Sequence, residues 1–480
     1  MLSWLHVVVL TIAPIVALAS AGHALLYKGD SRSAFGWIAV CLLFPLAGPM
    51  LYLLFGVNRV RTRARQLTRR FPFRLGVGYE RGDYGSPDPV VESVTLGAEW
   101  RTLARISDAI ARRPIVDGNA VVPLHNGEVA YPAMLEAIER AQTRVWLATY
   151  IFKTDATGRR FVEALARACD RGVDVRVLVD GVGELYSLPW ARSLLQRQGI
   201  RVVRFMPPRA WPPQFHLNLR NHRKILVVDG AEAFVGGMNI GGRHLVHEPG
   251  PQAGVVDVHF RLCGPIVTQI ETIFAEDWRF ATGELLLPTT RPQVAAAGDA
   301  ICRAFTDGPN EDLGRLATVL DGAVSAARER IDIMTPYFVP PPALVSALQA
   351  AALRGVRVSV LLPSESNLPY VHWATRNLLG EMLQFGVEVR YQPPPFIHSK
   401  LFVVDSHYAI IGSANLDSRS LRLNFELAVE VFSARVAADL VAHCEHAAAV
   451  SRPVTLAEVD GRSLPARARD AFCWLFSPYL

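Results

Sequence analysis

The sequence predicts an α/β protein: two homologous α-β-α sandwich halves about a pseudo-twofold axis, preceded by a two-helix transmembrane hairpin. Three observations carry this expectation. The first 57 residues are almost free of charge. The remainder alternates helical and strand periodicities twice over. A short motif then recurs without a gap: one constant offset carries His222, Lys224, Asp229 and Asn239 onto His398, Lys400, Asp405 and Asn415.

The hairpin comes first in the chain, over 1–57. No charged side chain occurs from Leu2 to Leu26, nor from Ala34 to Val57. A bilayer-spanning helix needs about 20 such residues, so spans are expected at 4–26 and 35–55, joined by the turn-like "YKGDSRS". The first span is too long for a signal peptide, lacks a basic leader and is followed at once by another. Arg59, Arg61, Arg63, Arg65, Arg69 and Arg70 lie in a basic juxtamembrane linker, 58–99. The positive-inside rule places this linker and everything after it in the cytoplasm, with its arginines on anionic headgroups. Net charge is +6, which suits anionic lipid or nucleic acid equally. Cys41, Cys169, Cys263, Cys302, Cys444 and Cys473 form no CxxC pair. They are expected as reduced thiols, not as a disulfide set or zinc site.

The first half, 100–286, contains "AMLEAIERAQTRVWLATYIF", "FVEALARACDRGVDVRVLVD" and "LLQRQGIRVVRF". The second, 300–450, contains "RLATVLDGAVSAARERIDIMTPYFV", "LVSALQAAALRGVRVSVLL" and "LGEMLQFGVEVRYQ". Each reads as three helix–strand pairs, which implies a mainly parallel sheet covered on both faces by helices. The motif segments are 217–244 and 393–420. A Pro- and aromatic-rich insertion, 206–219, precedes the first, with Trp211 at its centre. A tail, 451–480, is expected either at the membrane interface or packed on the enzyme unit.

Within the motif, strand alternation sets His222 and Lys224 on one side, and likewise His398 and Lys400. Asp229 and Asp405 have the opposite parity and fall in turns, "DGAE" and "DSHY". They are expected to brace the hairpin or a neighbouring lysine. "GGMN" and "GSAN" follow. Small residues there, Gly237 and Ser413, let an anion approach the backbone, and Asn239 and Asn415 can donate to its oxygens. If the halves close about a twofold axis, two histidines, two lysines and two asparagines meet around one phosphodiester. One imidazole attacks phosphorus and the other protonates the leaving alcohol. Lysine already meets the charge, so neither metal nor cofactor is required. Carboxylates to orient the imidazoles are assigned as Asp257 for His222 and Glu426 for His398.

H-x-K-x4-D occurring twice, each followed by G-[GS]-x-N, resembles the phospholipase D superfamily, and so implies two phospholipase D-like halves. The apolar N-terminus ending in "FGVNR", together with "TYIF", "LNLRNHRKILVVDG", "TPYFVP", "GSANLDSRSLRLNFE" and the closing "LFSPYL", is more closely similar to bacterial cardiolipin synthases. That resemblance implies transfer of a phosphatidyl group from one phosphatidylglycerol to another, releasing glycerol. His222 is then nucleophile through a phosphatidyl-histidine and His398 the acid, or the reverse. Lys224, Asp229, Lys400 and Asp405 complete the catalytic set. It also implies anionic membrane lipid as partner and the bacterial inner membrane as location, while the membrane hairpin itself argues for a multi-pass protein and against nucleic acid. The alternatives are a hydrolytic phospholipase D, or a transferase with another donor such as phosphatidylethanolamine. "HCEH", with His443 and His446, reads as structural, and "DGVGEL" lacks the third glycine of a nucleotide loop.

Overall fold

The computed structural model describes residues 4–28, 31–56, 96–111, 113–207, 219–247, 254–288, 295–308, 314–478 and 480. Most of the basic linker, and positions 208–218 of the insertion with Trp211, lie outside the described residues. The chain divides into two compact units, Met1–Arg70 and Phe71–Leu480.

In the smaller unit an apolar helix, Trp4–Tyr27, packs against a second, Ser31–Leu43. The second apolar stretch, expected as one helix over 35–55, is instead broken at residues 44–46 and resumes as Ala47–Leu51 and a π-turn, Tyr52–Gly56. Pro45 and Pro49 remove two donors from the ladder. Gly48 comes so close to the preceding helix that a Cβ there would stand 2.2 Å from the Val40 carbonyl oxygen. Ala21, Ala24, Cys41 and Tyr52 form the small core, tied by a 2.7 Å bond between His23 Nδ1 and the Tyr52 hydroxyl. Among the described residues no helix is long and apolar enough to cross a membrane; the side chains of residues 4–10 are not among them.

The larger unit is built on one 15-stranded sheet. From its centre outward the first half contributes Val116–His125, Val258–Cys263, Glu232–Gly236, Ile225–Val228, Arg144–Thr149, Asp174–Asp180 and Arg201–Phe205. The second half repeats that order with Ala300–Asp307, Glu426–Phe432, Tyr408–Gly412, Leu401–Val404, Arg330–Met334, Arg357–Pro363 and Glu388–Gln392. The two central strands pair antiparallel, Val116 with Cys302 and Asn119 with Ala300, so the sheet runs unbroken through both halves.

The expectation of a mainly parallel sheet is corrected here. Pairing is parallel only among the three outer strands that alternate with helices in each half, and antiparallel elsewhere. Hairpin turns at Asp229–Gly230 and Asp405–Ser406 force the reversal. The central strands, 116–125, 258–263, 300–307 and 426–432, escape a reading based on helix–strand alternation.

Both sheet faces are covered, so the strands read as continuous apolar runs. Ile225 and Val227 point into a core shared by both halves, with Leu401, Val403 and Trp278; Leu226 and Val228 point to the first half's own core. Phe402 and Val404 point to the second half's. The helices Ile266–Thr282 and Ala434–Ala449 cover the shared face. The helix Ala98–Ala111, expected within the first half, packs instead in the second-half core, where Trp100 stacks on Tyr408 at 5.9 Å. Arg303, fully buried, anchors it: its Nη1 donates to Asp108 at 2.7 Å and its Nη2 to the Ala104 carbonyl at 3.0 Å, while Nε lies 2.7 Å from Glu430.

The tail packs on the second half. Tyr391 and Arg390 pair with Arg452 and Pro453 at the sheet edge, and Arg469 lies 4.5 Å over the Trp373 ring. The carbonyl of Leu480 accepts from the Arg419 amide at 2.8 Å. We expect Arg303→Ala to lower unfolding free energy by about 3–5 kcal/mol, because it strands the buried Glu430 charge. Denaturant titration of the variant checks this; a loss under about 1 kcal/mol would contradict the anchoring role.

Candidate active site

Each motif enters the sheet by the same local route. His222 and Lys224 precede the strand Ile225–Val228, and His398 and Lys400 precede Leu401–Val404. Each strand ends in a tight turn with two left-handed residues, Asp229 (φ 53) and Gly230 (φ 62), and Asp405 (φ 50) and Ser406 (φ 51). The Ala231 amide donates to the Val228 carbonyl at 3.0 Å and the His407 amide to the Val404 carbonyl at 3.1 Å, which closes each as a tight turn whose two central residues have positive φ. Asp229 accepts from the amides of Thr143 at 2.7 Å, Arg144 at 2.9 Å and Gln142 at 2.9 Å. Asp405 accepts from Arg328 at 2.8 Å, Glu329 at 2.8 Å and Arg330 at 2.9 Å. Partial burial pushes the Asp229 carboxyl up, but those amides outweigh it and hold it below its ordinary range. Both aspartates therefore clamp the hairpin to the start of the neighbouring strand, as expected. They reach neither lysine, and their place in the catalytic set is corrected to that of braces.

The halves meet at the histidines. The His222 amide donates to the Phe425 carbonyl at 2.9 Å, and the His398 amide to the Val256 carbonyl at 2.7 Å. The next residue in each case is the acid. His222 Nδ1 lies 3.0 Å from Glu426 Oε1, and His398 Nδ1 lies 2.8 Å from Asp257 Oδ2. The assignment of Asp257 to His222 and Glu426 to His398 is thus reversed: each carboxylate serves the imidazole of the opposite half. The cause is strand pairing across the pseudo-twofold axis, Phe396–Ile397 with Val255–Val256 and Asn221 with Phe425. With Nδ1 occupied, Nε2 of each ring is left for chemistry. The two imidazoles keep 12% and 15% of their side-chain area accessible.

The positions flanking the acids explain "GG" against "GS". Gly237 leaves room for Asp257: a Cβ there would stand 2.5 Å from Oδ2. At the matching place Ser413 Oγ donates to Glu426 Oε2 at 2.5 Å, and Asn424 donates to Oε1 at 3.2 Å. Gly237 and Ser413 are therefore committed to the carboxylates rather than to phosphate, a second correction. The asparagines also differ. Asn239 accepts from the Ile151 amide at 3.1 Å, which leaves its amide NH2 to donate. Asn415 is buried and donates to Ser420 Oγ at 3.3 Å.

Lys224 Nζ donates to the His222 carbonyl at 2.6 Å and lies 5.5 Å over the Tyr150 ring; Lys400 Nζ reaches the His398 carbonyl and lies 3.0 Å from its Nδ1. Burial lowers Lys224 to about 7, with Lys400 repelling it and Glu426 opposing the shift. Burial lowers Lys400 to about 8, against Asp257 and Glu426. Burial also lowers both histidines, His398 well below its usual value with Lys400 and Lys224 adding to the effect. Burial pushes Glu426 up, but His222 and Lys224 more than offset it and keep it ionised. Burial raises Asp257 in spite of Lys400. The charges of Lys224, His222 and Lys400 act on His398, and that of Lys400 on Lys224, so the two motifs form one electrostatic site.

Several supports escaped the sequence reading. Asp180, buried at a strand end, accepts from the amides of Val182 and Gly183 at 2.9 Å and of Asn221 at 2.8 Å, fixing the residue before His222. Asp277 takes the Asn221 side chain at 3.0 Å and pairs with buried Arg223, whose Nε donates to the Glu426 carbonyl at 3.0 Å. Tyr131 donates to the Asn239 carbonyl at 2.7 Å. His244, lowered by burial to about 3, accepts from the Asn239 amide at 3.3 Å, with its ring 5.9 Å from that of His398. A carboxylate closing a strand in "RVLVD", and one on the apolar face of a helix in "FAEDW", were the available signals. His443 is likewise lowered by burial to about 4, and its ring lies tilted 4.8 Å from that of His125, consistent with a structural role.

Asp229→Ala should cost about 2 kcal/mol of stability through loss of the amide clamp, with turnover per folded molecule retained. Equal turnover loss at full stability would return Asp229 to the reacting set. Bound anion restores the lysine pKa values, so binding takes up protons. Sulfate affinity should be full below about pH 7 and fall about tenfold per lysine per pH unit above about pH 8. Calorimetric titration reads this, and a pH-independent affinity would contradict the shifted lysines.

The family model described as "Cardiolipin synthase, PLD-like domain" matches residues 134–278 and 320–447, and a "Phospholipase_D-nuclease N-terminal" model matches 9–56. The chain is 34% identical over 445 residues to Cardiolipin synthase A of Pseudomonas putida strain F1, covering 90% of this chain and 89% of that one. It is 32% identical over 463 residues to the Major cardiolipin synthase ClsA of Bacillus subtilis strain 168, covering 94% and 95%. A phosphatidylserine synthase structure from Haemophilus influenzae shares the fold, with TM-score 0.62 at 14% identity over 79% of this chain and all of that one. With the doubled motif, the continuous two-part sheet and these relatives, the chain belongs to the bacterial cardiolipin synthase family of phospholipase D-like proteins.

Proposed function

We propose that this protein transfers a phosphatidyl group from one phosphatidylglycerol to the free glycerol hydroxyl of a second, giving cardiolipin and glycerol. The observation that carries this reading is the pair of imidazoles, each with Nδ1 against a carboxylate of the opposite half and each beside a lysine. Nε2 of His222 attacks phosphorus, the bond from phosphorus to the departing glycerol oxygen breaks, and His398 gives that oxygen its proton. His398 then takes the proton of the incoming hydroxyl. The new oxygen–phosphorus bond forms and the phosphorus–nitrogen bond breaks, which regenerates both rings. The reverse allocation of the two histidines follows the same balance. Glu426 and Asp257 hold the tautomers and stabilise each imidazolium. Lys224, Lys400 and Asn239 offset charge on the phosphoryl oxygens as it develops.

The apolar N-terminal unit anchors the enzyme in the bacterial inner membrane as a two-span hairpin. The basic linker and the catalytic unit lie on the cytoplasmic side. Charge-free stretches on both strands of the hairpin and the arginines after it support that placement. Anchoring keeps acceptor lipid at high local concentration, which favours transfer over hydrolysis.

Purified protein supplied with labelled phosphatidylglycerol should form cardiolipin and glycerol in equal amounts, whereas phosphatidic acid as main product would defeat the transferase reading. His222→Ala and His398→Ala should each lower turnover by about 10²–10⁴ with folding retained. Mass spectrometry of a quenched reaction should find the phosphatidyl group on one of these two residues.

A further inference from the structure

Joining two phosphatidylglycerols brings two phosphodiesters to one site, separated by the three carbons of the bridging glycerol. Lys224 and Lys400 lie against the carbonyls of the two histidines and serve the phosphorus under attack. The acceptor's own phosphate needs other cations. Building on the transfer reaction above, we propose that Lys153 and Arg243, on the first-half side of the mouth, bind the phosphodiester of the acceptor lipid.

Lys153 is held by its backbone, whose amide donates to the Ile240 carbonyl at 2.9 Å. Its stem lies along Gly241: a Cβ there would stand 2.8 Å from Lys153 Cγ. Its ammonium meets the carbonyl of Tyr186. The Tyr186 ring is 6.2 Å from that of Tyr150, which in turn stands 5.2 Å from His222. Lys153 thus lies against the Ile240–Gly241 segment that directly follows Asn239. Arg243 is exposed on the short turn Gly242–His244, four residues after Asn239. The adjoining His244 ring is 5.9 Å from that of His398, and the Arg243 charge contributes to lowering His398. Among the described residues neither Lys153 nor Arg243 forms an ion pair with a carboxylate.

The second half lacks this arrangement at the equivalent place. Phe338 pairs with Leu416 as Phe152 does with Ile240, which sets Val339 where the first half has Lys153. Arg419 occupies the position of Arg243, but there Asp417 replaces Gly241 and feels the Arg419 charge. The Arg419 amide is also bound to the Leu480 carbonyl. Lys153 has no cationic counterpart in the second half, so the cations around an otherwise nearly symmetric site are unequal, with Asp155, which accepts from the Gly242 amide at 2.8 Å, beside the first-half pair. The asymmetry matches a reaction whose acceptor carries a phosphate and whose leaving glycerol does not.

The test supplies phosphatidylglycerol as donor and compares two acceptors in the full chain: a second phosphatidylglycerol, read as cardiolipin, and labelled free glycerol, read as label entering phosphatidylglycerol. Arg243→Gln and Lys153→Gln should each lower cardiolipin formation about tenfold or more, the scale of one lost charge-assisted hydrogen bond, while glycerol exchange stays within about twofold. Arg243→Lys should recover part of the loss. Equal loss with both acceptors, or cardiolipin formation within about twofold of the parent, overturns the subsite. If the unaltered protein exchanges glycerol yet makes no cardiolipin, the cardiolipin-forming reading and the subsite fall together, while phosphatidyl transfer itself stands.

Discussion

The crossed carboxylate–imidazole pairs are the constraint on which the site depends. Glu426 reaches His222 and Asp257 reaches His398, so neither half holds its own histidine in a working tautomer. Such pairing demands that the two halves be fixed to within a fraction of an ångström, because a charge-assisted hydrogen bond weakens steeply with misalignment. The continuous sheet meets that demand. Antiparallel pairing of the central strands, the core shared across one sheet face, and the Phe425 and Val256 carbonyls accepting from the histidine amides all set the same register.

Around this constraint the halves have diverged in chemistry while keeping geometry. Glu426 is one methylene longer than Asp257 and carries a serine and an asparagine bond besides its histidine. Asp257 sits under a bare glycine and beside His244 and His259, both kept neutral by burial. The two rings therefore differ in how readily each accepts a proton, although their partners follow one plan. Burial lowers both lysines, and an anion between them would offset that cost.

Much of this was legible from residues alone. Alternating helix and strand periods located the outer strands of both halves, and the repeated His-x-Lys set paired positions that the fold brings together. "DGAE" and "DSHY" announced turns whose aspartates brace the backbone. What escaped was long-range. The central strands have no helix beside them in sequence to mark them, and the helix Ala98–Ala111 joins the half that follows rather than the half that contains it in sequence. The role of Ser413 needed the position of Glu426, and that of Gly237 needed the approach of Asp257.

Local chemistry in the chain determined which residue types the reaction has at hand, two imidazoles and two ammonium groups, and which aspartates lock the hairpin turns beside them, since parity and turn propensity act over a few residues. Partnership between an imidazole and its acid was decided only by the tertiary structure. Each acid follows, by one residue, a backbone carbonyl that binds a strand of the other half, and sequence separation carries no information about which edge of a sheet another segment will meet.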